Sequence, residues 1–506
     1  MNANTPNFVF IMTDTQGTNV IESYCGQAMR TPNIDKLAAE GVRFDRGYTT
    51  CPVCSPARSA IFTGLFPSKA GPMTNNLSLY ENRWHMGQFF QQAGFHTAYI
   101  GKWHLDGHDY FDTGNCPDGW DDNYWYDGRR YLNDLSDAEI TLWREKLKSP
   151  KDLREHDIRP EFTWAHRISD KAIDFLDHHD PEKPFLLVAS YDEPHGPFTC
   201  PHEYAEAFEA FDYEIGPGAL DDLSNKPSHH RDWAGGENKN THTKKRQAMY
   251  FGCNSFVDTE IGRLLDAIQA NCGDNTVVIF TSDHGEMLNA HGIVGKGPAM
   301  YDEITRIPYI IRSPKQAGRG RKVTTPVSHV DFLPTMLDMA GIPTPDILDG
   351  SSVKELVETD TEHPDRHVML EFQRHSICHD SWGGFVPIRC IVQDHWKLAI
   401  NLMSTDELYD LEKDPAELHN LIDSPEHAGI REQLIDNLLK RMNTTRDPFR
   451  GIYWEQRPWR VKRTLSWKGL YRMKPDDGHS PTPLVYQTGR PATEVGVHSN
   501  SKPGRH

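Results

Sequence analysis

The sequence predicts an α/β protein, with a large, mostly parallel sheet flanked by helices on both faces and a smaller α+β unit toward the C-terminal end. Three observations carry this. Apolar, β-branched runs recur at FVFIM (8–12), HTAYI (96–100), PFLLVAS (184–190) and NTVVIFTS (275–282), and continuous runs of this kind suit strands buried on both faces. Helix-like stretches alternate with them: IDKLAAEG (34–41), HMGQFFQQAG (85–94), DKAIDFLDHH (170–179) and DTEIGRLLDAIQAN (258–271). Their apolar residues stand three and four apart, which makes helices that cover a sheet. The texture then changes near residue 365, where HVMLEF, GFVPIRCIVQD, HWKLAINL and DELYDLEKDP read as short antiparallel strands and GIREQLIDNLLKRM as a helix.

RIPYIIR (306–312) and DFLPTMLDMAG (331–341) continue the first pattern. The expected division is therefore an α/β domain over 1–365, an α+β subdomain over 366–446 and an irregular tail over 447–506. That tail is rich in Pro, Trp, Arg and Lys. It is expected to pack on the body or on a neighbouring subunit, so a homo-oligomer is an expectation too. Its last residues, SNSKPGRH, read as disordered.

In open parallel sheets ligands sit beyond the carboxyl ends of the strands. Here those ends lead into Thr13-Asp14-Thr15-Gln16, Gly101-Lys102-Trp103-His104, Tyr191-Asp192-Glu193-Pro194-His195 and Asp283-His284-Gly285. The pattern brings Asp, Lys and His side chains to one place.

Composition narrows the function. A net charge of −18, from 54 Lys+Arg against 72 Asp+Glu, argues against a general nucleic-acid binder. It leaves an anionic substrate open, because a local group of Lys, Arg, His and metal can override the global sign at short range. No run approaches the roughly 18 apolar residues of a membrane span. The start, MNANTPNFVFIMTDTQG, has no basic region and no cleavage site, so a cytoplasmic protein without membrane contact is expected. Nine scattered cysteines do not suggest a disulfide framework.

Residues 51–64 read CPVCSPARSAIFTG. A zinc site needs about four ligands, and no second CxxC exists. A redox pair wants a compact βαβ setting, which is missing here. Two buried structural cysteines would be the plain reading of an isolated pair. The following residues change this: Cys54-Ser55-Pro56-Ala57-Arg58, then Thr63-Gly64, resembles the sulfatase signature C-x-P-x-R followed by Thr-Gly. Counted from Cys51, the Pro and Arg positions hold Val53 and Ser55, so only Cys54 is in register. GKWHL (101–105), PHGPF (194–198), SDHGE (282–286), Lys296-Gly297, ELYDLEKDPAELHNL (407–421) and TPNIDKLAAEGVRFDRGY (31–48) also have counterparts in that family, in the same order. The chain resembles the type I, formylglycine-dependent sulfatases of the alkaline phosphatase superfamily. As a whole it is similar to enterobacterial sulfatase-like proteins.

The resemblance implies the following roles. Cys54, oxidised to formylglycine (3-oxoalanine) by a maturation enzyme, is nucleophile and metal ligand. Arg58, one helical turn on, orients it. Lys102 and His104 reach the same group from one side of an extended segment, with His104 the base that collapses the adduct. His195 and Lys296 bind sulfate from the leaving-group side, and His195 is the acid. Asp14, Asp283 and His284 hold one divalent cation, calcium by preference, with magnesium and manganese open.

Many relatives have two adjacent aspartates after the first strand. This chain has Asp14-Thr15-Gln16, so Thr15 or Gln16 is a candidate neutral ligand. The plainer alternatives are a helix cap for Asp14, surface lysines for Lys102 and Lys296, and a core histidine for His195. His108 and His291 lie near motifs without a clear part.

The expected substrate is a small sulfated carbohydrate. YDGRRY (126–131), LDGHDYF (105–111) and FQRHSICHDSW (372–382) offer polar and aromatic lining, with Arg374 and His375 the named candidates. The rival readings are a phosphonate monoester or phosphodiester hydrolase of the same superfamily, and an inactive binding protein on this fold.

Overall fold

In the computed structural model, which describes residues 5–238 and 240–460, the first strand shows how the sheet is covered on both sides. Successive side chains of a strand point to opposite faces. In β1 (Asn7–Thr13), Phe8, Phe10 and Met12 enter one apolar core and Val9 and Ile11 enter another. Every one of these five side chains is fully buried, which is why the run reads as continuously apolar rather than alternating.

The main sheet contains β1, β2 (Val42–Phe44), β3 (His96–Gly101), β4 (Trp125–Tyr126), β5 (Phe185–Ser190), β6 (Thr276–Ser282), β7 (Tyr309–Arg312) and β8 (Arg321–Val323). Their order across the sheet is β8-β2-β7-β6-β1-β5-β3-β4. β1 pairs in parallel with β5 and β6, and β3 with β5 and β4. β7 is the reversed strand, antiparallel to both β6 and β2.

Helices α1 (Pro32–Glu40), α3 (Trp164–His178) and α4 (Ala248–Asn271) cover the face that takes Val9 and Ile11. Helices α2 (Cys54–Thr63) and α5 (Phe332–Ala340) cover the face that takes Phe8 and Phe10. Phe10 meets the Phe332 ring edge-on at 5.2 Å between centroids.

The second unit is a four-stranded antiparallel sheet in sequence order: β9 (His367–Phe372), β10 (Ile388–Gln393), β11 (Trp396–Asn401) and β12 (Glu407–Asp410). Helix α6 (Ala428–Thr444) packs Leu434, Ile435 and Leu438 on it, in a core shared with Ala60, Phe66 and Val330 of the body. The two sheets are thus joined by continuous apolar packing. They are also joined by the buried Lys397, whose Nζ reaches Asp302 at 2.6 Å and Glu417 at 2.9 Å. Residues 447–460 lie against this unit: Trp454 is buried, and Arg457 Nε and Trp459 Nε1 donate to Asp406 at 2.7 and 2.8 Å. The rest of the tail, SNSKPGRH included, lies outside the described residues. No helix among the described residues is long and apolar enough to cross a membrane.

Candidate active site

The strand order explains the convergence. β1 lies between β6 and β5, and β3 lies beyond β5. The residues that follow β1, β3, β5 and β6 therefore meet at one edge. Gly101 closes β3 at φ +117°, and a Cβ there would stand 1.9 Å from the Ser190 carbonyl oxygen. Only glycine allows the two strand ends to approach this closely.

Helix α2 supplies the centre. Cys54 is its first residue, and the Asn75 side chain caps the Ser55 amide at 2.9 Å. The positive end of a helix favours a negative charge at that position. Lys296 Nζ donates to Cys54 Sγ at 2.8 Å, and His284 Nε2 lies 3.4 Å from it. Burial and the Asp14 charge push the Cys54 thiol up, but Lys296, Lys102 and His284 outweigh them and hold it well below the usual thiol range. Cys51 has no such surroundings. Burial first, then Glu371, pushes it well above that range.

Arg58 lies one turn along α2 from Cys54, as the i,i+4 spacing requires. It is fully buried and ties the strand ends together. Nε donates to Asp283 at 3.1 Å, Nη2 to Asp14 at 3.3 Å, and Nη1 to the Lys102 carbonyl and Ser190 Oγ at 2.7 and 2.8 Å. Its recorded partners are therefore the two carboxylates and two strand ends.

Asp14, Cys54, Asp283 and His284 each offer a ligand atom, all within 4.8 Å of one another. His284 donates Nδ1–H to the Gly285 carbonyl at 2.8 Å, which leaves Nε2 free to bind a cation. Burial, then the Asp14 charge, pushes Asp283 up to about 7. Asp14 goes the other way: burial raises it, but Lys102, Lys296, His195 and His284 draw it well below the usual carboxylate range. Two buried carboxylates with an imidazole fit a hard divalent cation, whose charge would let both ionise.

Of the two neutral candidates, Thr15 stands beside the cluster. Its Oγ1 donates to Asp14 at 2.6 Å and its amide to Asp283 at 3.2 Å. Gln16 commits both ends of its amide elsewhere, to Thr13 at 2.8 Å and Asn254 at 2.6 Å.

Lys102 Nζ donates to Asp14 at 2.7 Å and to Asp192 at 3.0 Å. His104 lies against Cys54; burial lowers its pKa and Cys54 partly restores it. Its Nε2 meets Asn76 Oδ1 at 3.2 Å. The segment is not simply extended as expected. His104 sits at φ +57°, held by its amide donating to Asp112 at 2.8 Å, so a local turn and not the pleat aims this pair.

His195 stands between Tyr110 Oη at 3.0 Å and the Gly196 carbonyl at 2.9 Å. Burial, then Lys296 and Lys102, lowers it to about 4. His375 is close enough to feel Lys296 and Cys54: burial, then Lys296, lowers it to about 4 against the opposing pull of Cys54. Arg374 is not brought in: its guanidinium pairs with Asp380 and donates to the Ser376 carbonyl at 2.9 Å. The rim adds a parallel stack of Trp382, from the expected lining stretch, on Trp233 at 4.7 Å, a partner the sequence does not reveal. It stands over Gly297, where a Cβ would meet Trp382 at 2.6 Å.

Tyr110, Asp192, Asn75 and Asn76 are further participants without an assigned part. Asp192 was visible as a strand-end carboxylate. Tyr110 lies in the LDGHDYF stretch expected to line the pocket, and nothing local marks Asn75 or Asn76.

A mostly parallel sheet ending in a buried lysine–carboxylate–histidine cluster around a helix-start cysteine defines a hydrolase site for an anionic ester. Comparison with known proteins agrees. The Sulfatase family model matches residues 6–342, and that of the N-sulphoglucosamine sulphohydrolase C-terminal region matches residues 290–444. The chain is 51% identical over 504 residues to the sulfatase YidJ of Escherichia coli K12, covering 98% of this chain and 99% of that protein. Among solved structures, BT4656 in complex with D-glucosamine-2-N,6-O-disulfate superposes with a TM-score of 0.71 at 23% identity, over 90% of this chain and 100% of that one. The phosphonate monoester hydrolase of Agrobacterium radiobacter gives 0.70 at 23%, over 87% and 96%. The chain belongs to the sulfatase family and is a sulfuric ester hydrolase with the alkaline-phosphatase-like fold.

Proposed function

We propose that the protein hydrolyses the sulfate ester of a small sulfated carbohydrate, using Cys54 matured to formylglycine and one divalent cation, calcium first, on Asp14, Asp283 and His284. The observation that carries this is the surroundings of Cys54 Sγ, with Lys296 Nζ at 2.8 Å and His284 Nε2 at 3.4 Å at the start of a helix. In this reading Sγ stands in for an oxygen of the aldehyde hydrate. The hydrate supplies a nucleophile that can later release sulfate by collapsing to the aldehyde. The cation supplies charge neutralisation at that nucleophile.

The chain's own residues do the rest. Lys102 and Lys296 offset the charge of the ester. Arg58 holds Asp14 and Asp283 apart and in place. His195 gives a proton to the leaving oxygen, and His104 takes one from the position-54 group. His375 and the Trp rim face the leaving alcohol. A sugar is the substrate class favoured, in line with the sulfated glucosamine bound by BT4656. A cytoplasmic site of action, and hence a small imported substrate, belongs to the same reading.

The deciding experiment is the mass of the proteolytic peptide carrying Cys54, from protein made in its native host. Thiol-to-aldehyde conversion at Cys54 with Cys51 untouched is expected. An unmodified Cys54 beside a working maturation control would end this reading. The two lysines around Cys54 favour a sulfate over a phosphonate ester, and the ratio of turnover on aryl sulfate to phosphonate ester measures that preference.

A further inference from the structure

Tyr110 has no role in the reading above, yet its hydroxyl touches three of the groups around the leaving-group side. Lys102 Nζ lies 2.6 Å from Oη and 3.8 Å from the ring centroid. Oη donates to Asp192 Oδ1 and lies 3.0 Å from His195 Nδ1. A phenol has one proton to give and two lone pairs. An ammonium can only donate and a carboxylate can only accept. The phenol proton therefore goes to Asp192, and a lone pair faces His195.

The other neighbour of Nδ1, the Gly196 carbonyl at 2.9 Å, also only accepts. Nδ1 must then carry a proton in every charge state of the ring, and Nε2 is the atom that titrates. His284 is built alike, with Nδ1 on the Gly285 carbonyl at 2.8 Å. His195 differs in having the second acceptor, and through it a carboxylate.

We propose that Tyr110 is a positioning residue for the leaving-group proton: it relays the negative charge of Asp192 to His195 Nδ1–H and so stabilises the ring when Nε2 is protonated. The proposal rests on His195 being the acid. The groups facing the ring are Lys296 and Lys102, which disfavour its cation, and Asp14 and Asp192, which favour it. An anionic ester between the two lysines offsets their charge and lets Nε2 take a proton. Sulfur then gains its bond to the position-54 oxygen, whose proton passes to solvent, and loses its bond to the leaving oxygen. That oxygen keeps the electron pair and receives the Nε2 proton. His195 returns to the neutral ring with its remaining proton on Nδ1.

The test compares matured wild type, Tyr110→Phe and His195→Asn on 4-nitrophenyl sulfate, whose leaving group needs little protonation, and on phenyl sulfate, which needs more. Tyr110→Phe is expected to lose about tenfold more kcat on phenyl than on nitrophenyl sulfate, and His195→Asn to show the same pattern more strongly. Equal losses on both esters in Tyr110→Phe, or no loss, would overturn the proposal. If His195→Asn shows no leaving-group dependence, the acid assignment itself fails. Nitrogen-15 NMR of the full chain decides independently of turnover, with His195 signals identified by their loss in His195→Asn. The proposal expects an Nδ1–H tautomer in wild type. With inorganic sulfate bound, it expects a lower His195 pKa in Tyr110→Phe. An Nε2–H tautomer, or an unchanged pKa, overturns it.

Discussion

Cys51 and Cys54 stand three residues apart and both are buried, but one faces the small sheet and the other the strand ends. Cys51 packs with Val53, Val368, Phe372 and Ile388, and burial leaves its thiol protonated and inert. Cys54 opens a helix among two lysines, two carboxylates and a histidine. Burial pushes both thiols the same way, so the outcome is decided by which charges are packed nearby. A Cys-x-x-Cys string is thus no functional unit in this protein.

The sharpest way to break this contrast is to exchange the outcomes. Cys54→Ala is expected to lower kcat by about 10⁴-fold or more on an aryl sulfate, since on the proposed function it removes the nucleophile. Cys51→Ala keeps turnover within a few-fold and costs about 1–2 kcal/mol of stability, measured by denaturant unfolding, for a small cavity. Next in size is Lys296→Met. It removes the donor at 2.8 Å from Sγ and is expected to cost about 10²–10³ in kcat/KM. In unmatured, metal-free protein the same change raises the Cys54 pKa, read as thiolate absorbance across a pH titration.

A third test concerns the metal site. Asp283 is raised to about 7 in the cation-free fold, against about 3.9 unfolded. Between these values the folded state holds the extra proton, so this group's contribution to stability falls as pH rises from about 4 to about 7 and levels off above. On the proposed function, bound calcium would remove that penalty by pairing the carboxylate. The rise in Tm on adding calcium is therefore expected to be larger at pH 7 than at pH 5. An equal shift at both would show that Asp283 is already ionised without the ion. The smallest effects fall on the rim: His375→Ala is expected to raise KM several-fold, while Arg374→Ala changes kcat/KM less than twofold.

The sequence made the strands legible because both faces of the sheet are covered, which forces uninterrupted apolar runs such as Phe8–Met12. The site was legible where the backbone alone aims a side chain. Asp14 and Asp283 follow strands that pair in parallel, and Arg58 follows Cys54 by one helical turn. The direction of β7 was not legible, because an apolar run of four residues reads alike both ways. Whether Gln16 could offer its oxygen was not legible, because only the folded turn after β1 shows the Thr13 hydroxyl donating to it at 2.8 Å. The pairing of Arg374 with Asp380 was not legible, because it depends on how their loop turns. Tyr110 was legible only as part of an aromatic lining stretch, because the fold alone brings Asp192 and His195 to it.

Cys54 is 1% exposed once α2 has docked. On the proposed maturation, an oxidising enzyme must then act on a chain whose signature segment is still extended and reachable. Folding and modification become competitors for the same molecule, and the winner is permanent. A chain that folds quickly locks in a thiol where an aldehyde is needed. Slowing folding during synthesis, by cold or by sparse codons after residue 64, would then raise the share of working enzyme without altering a single contact in the finished protein.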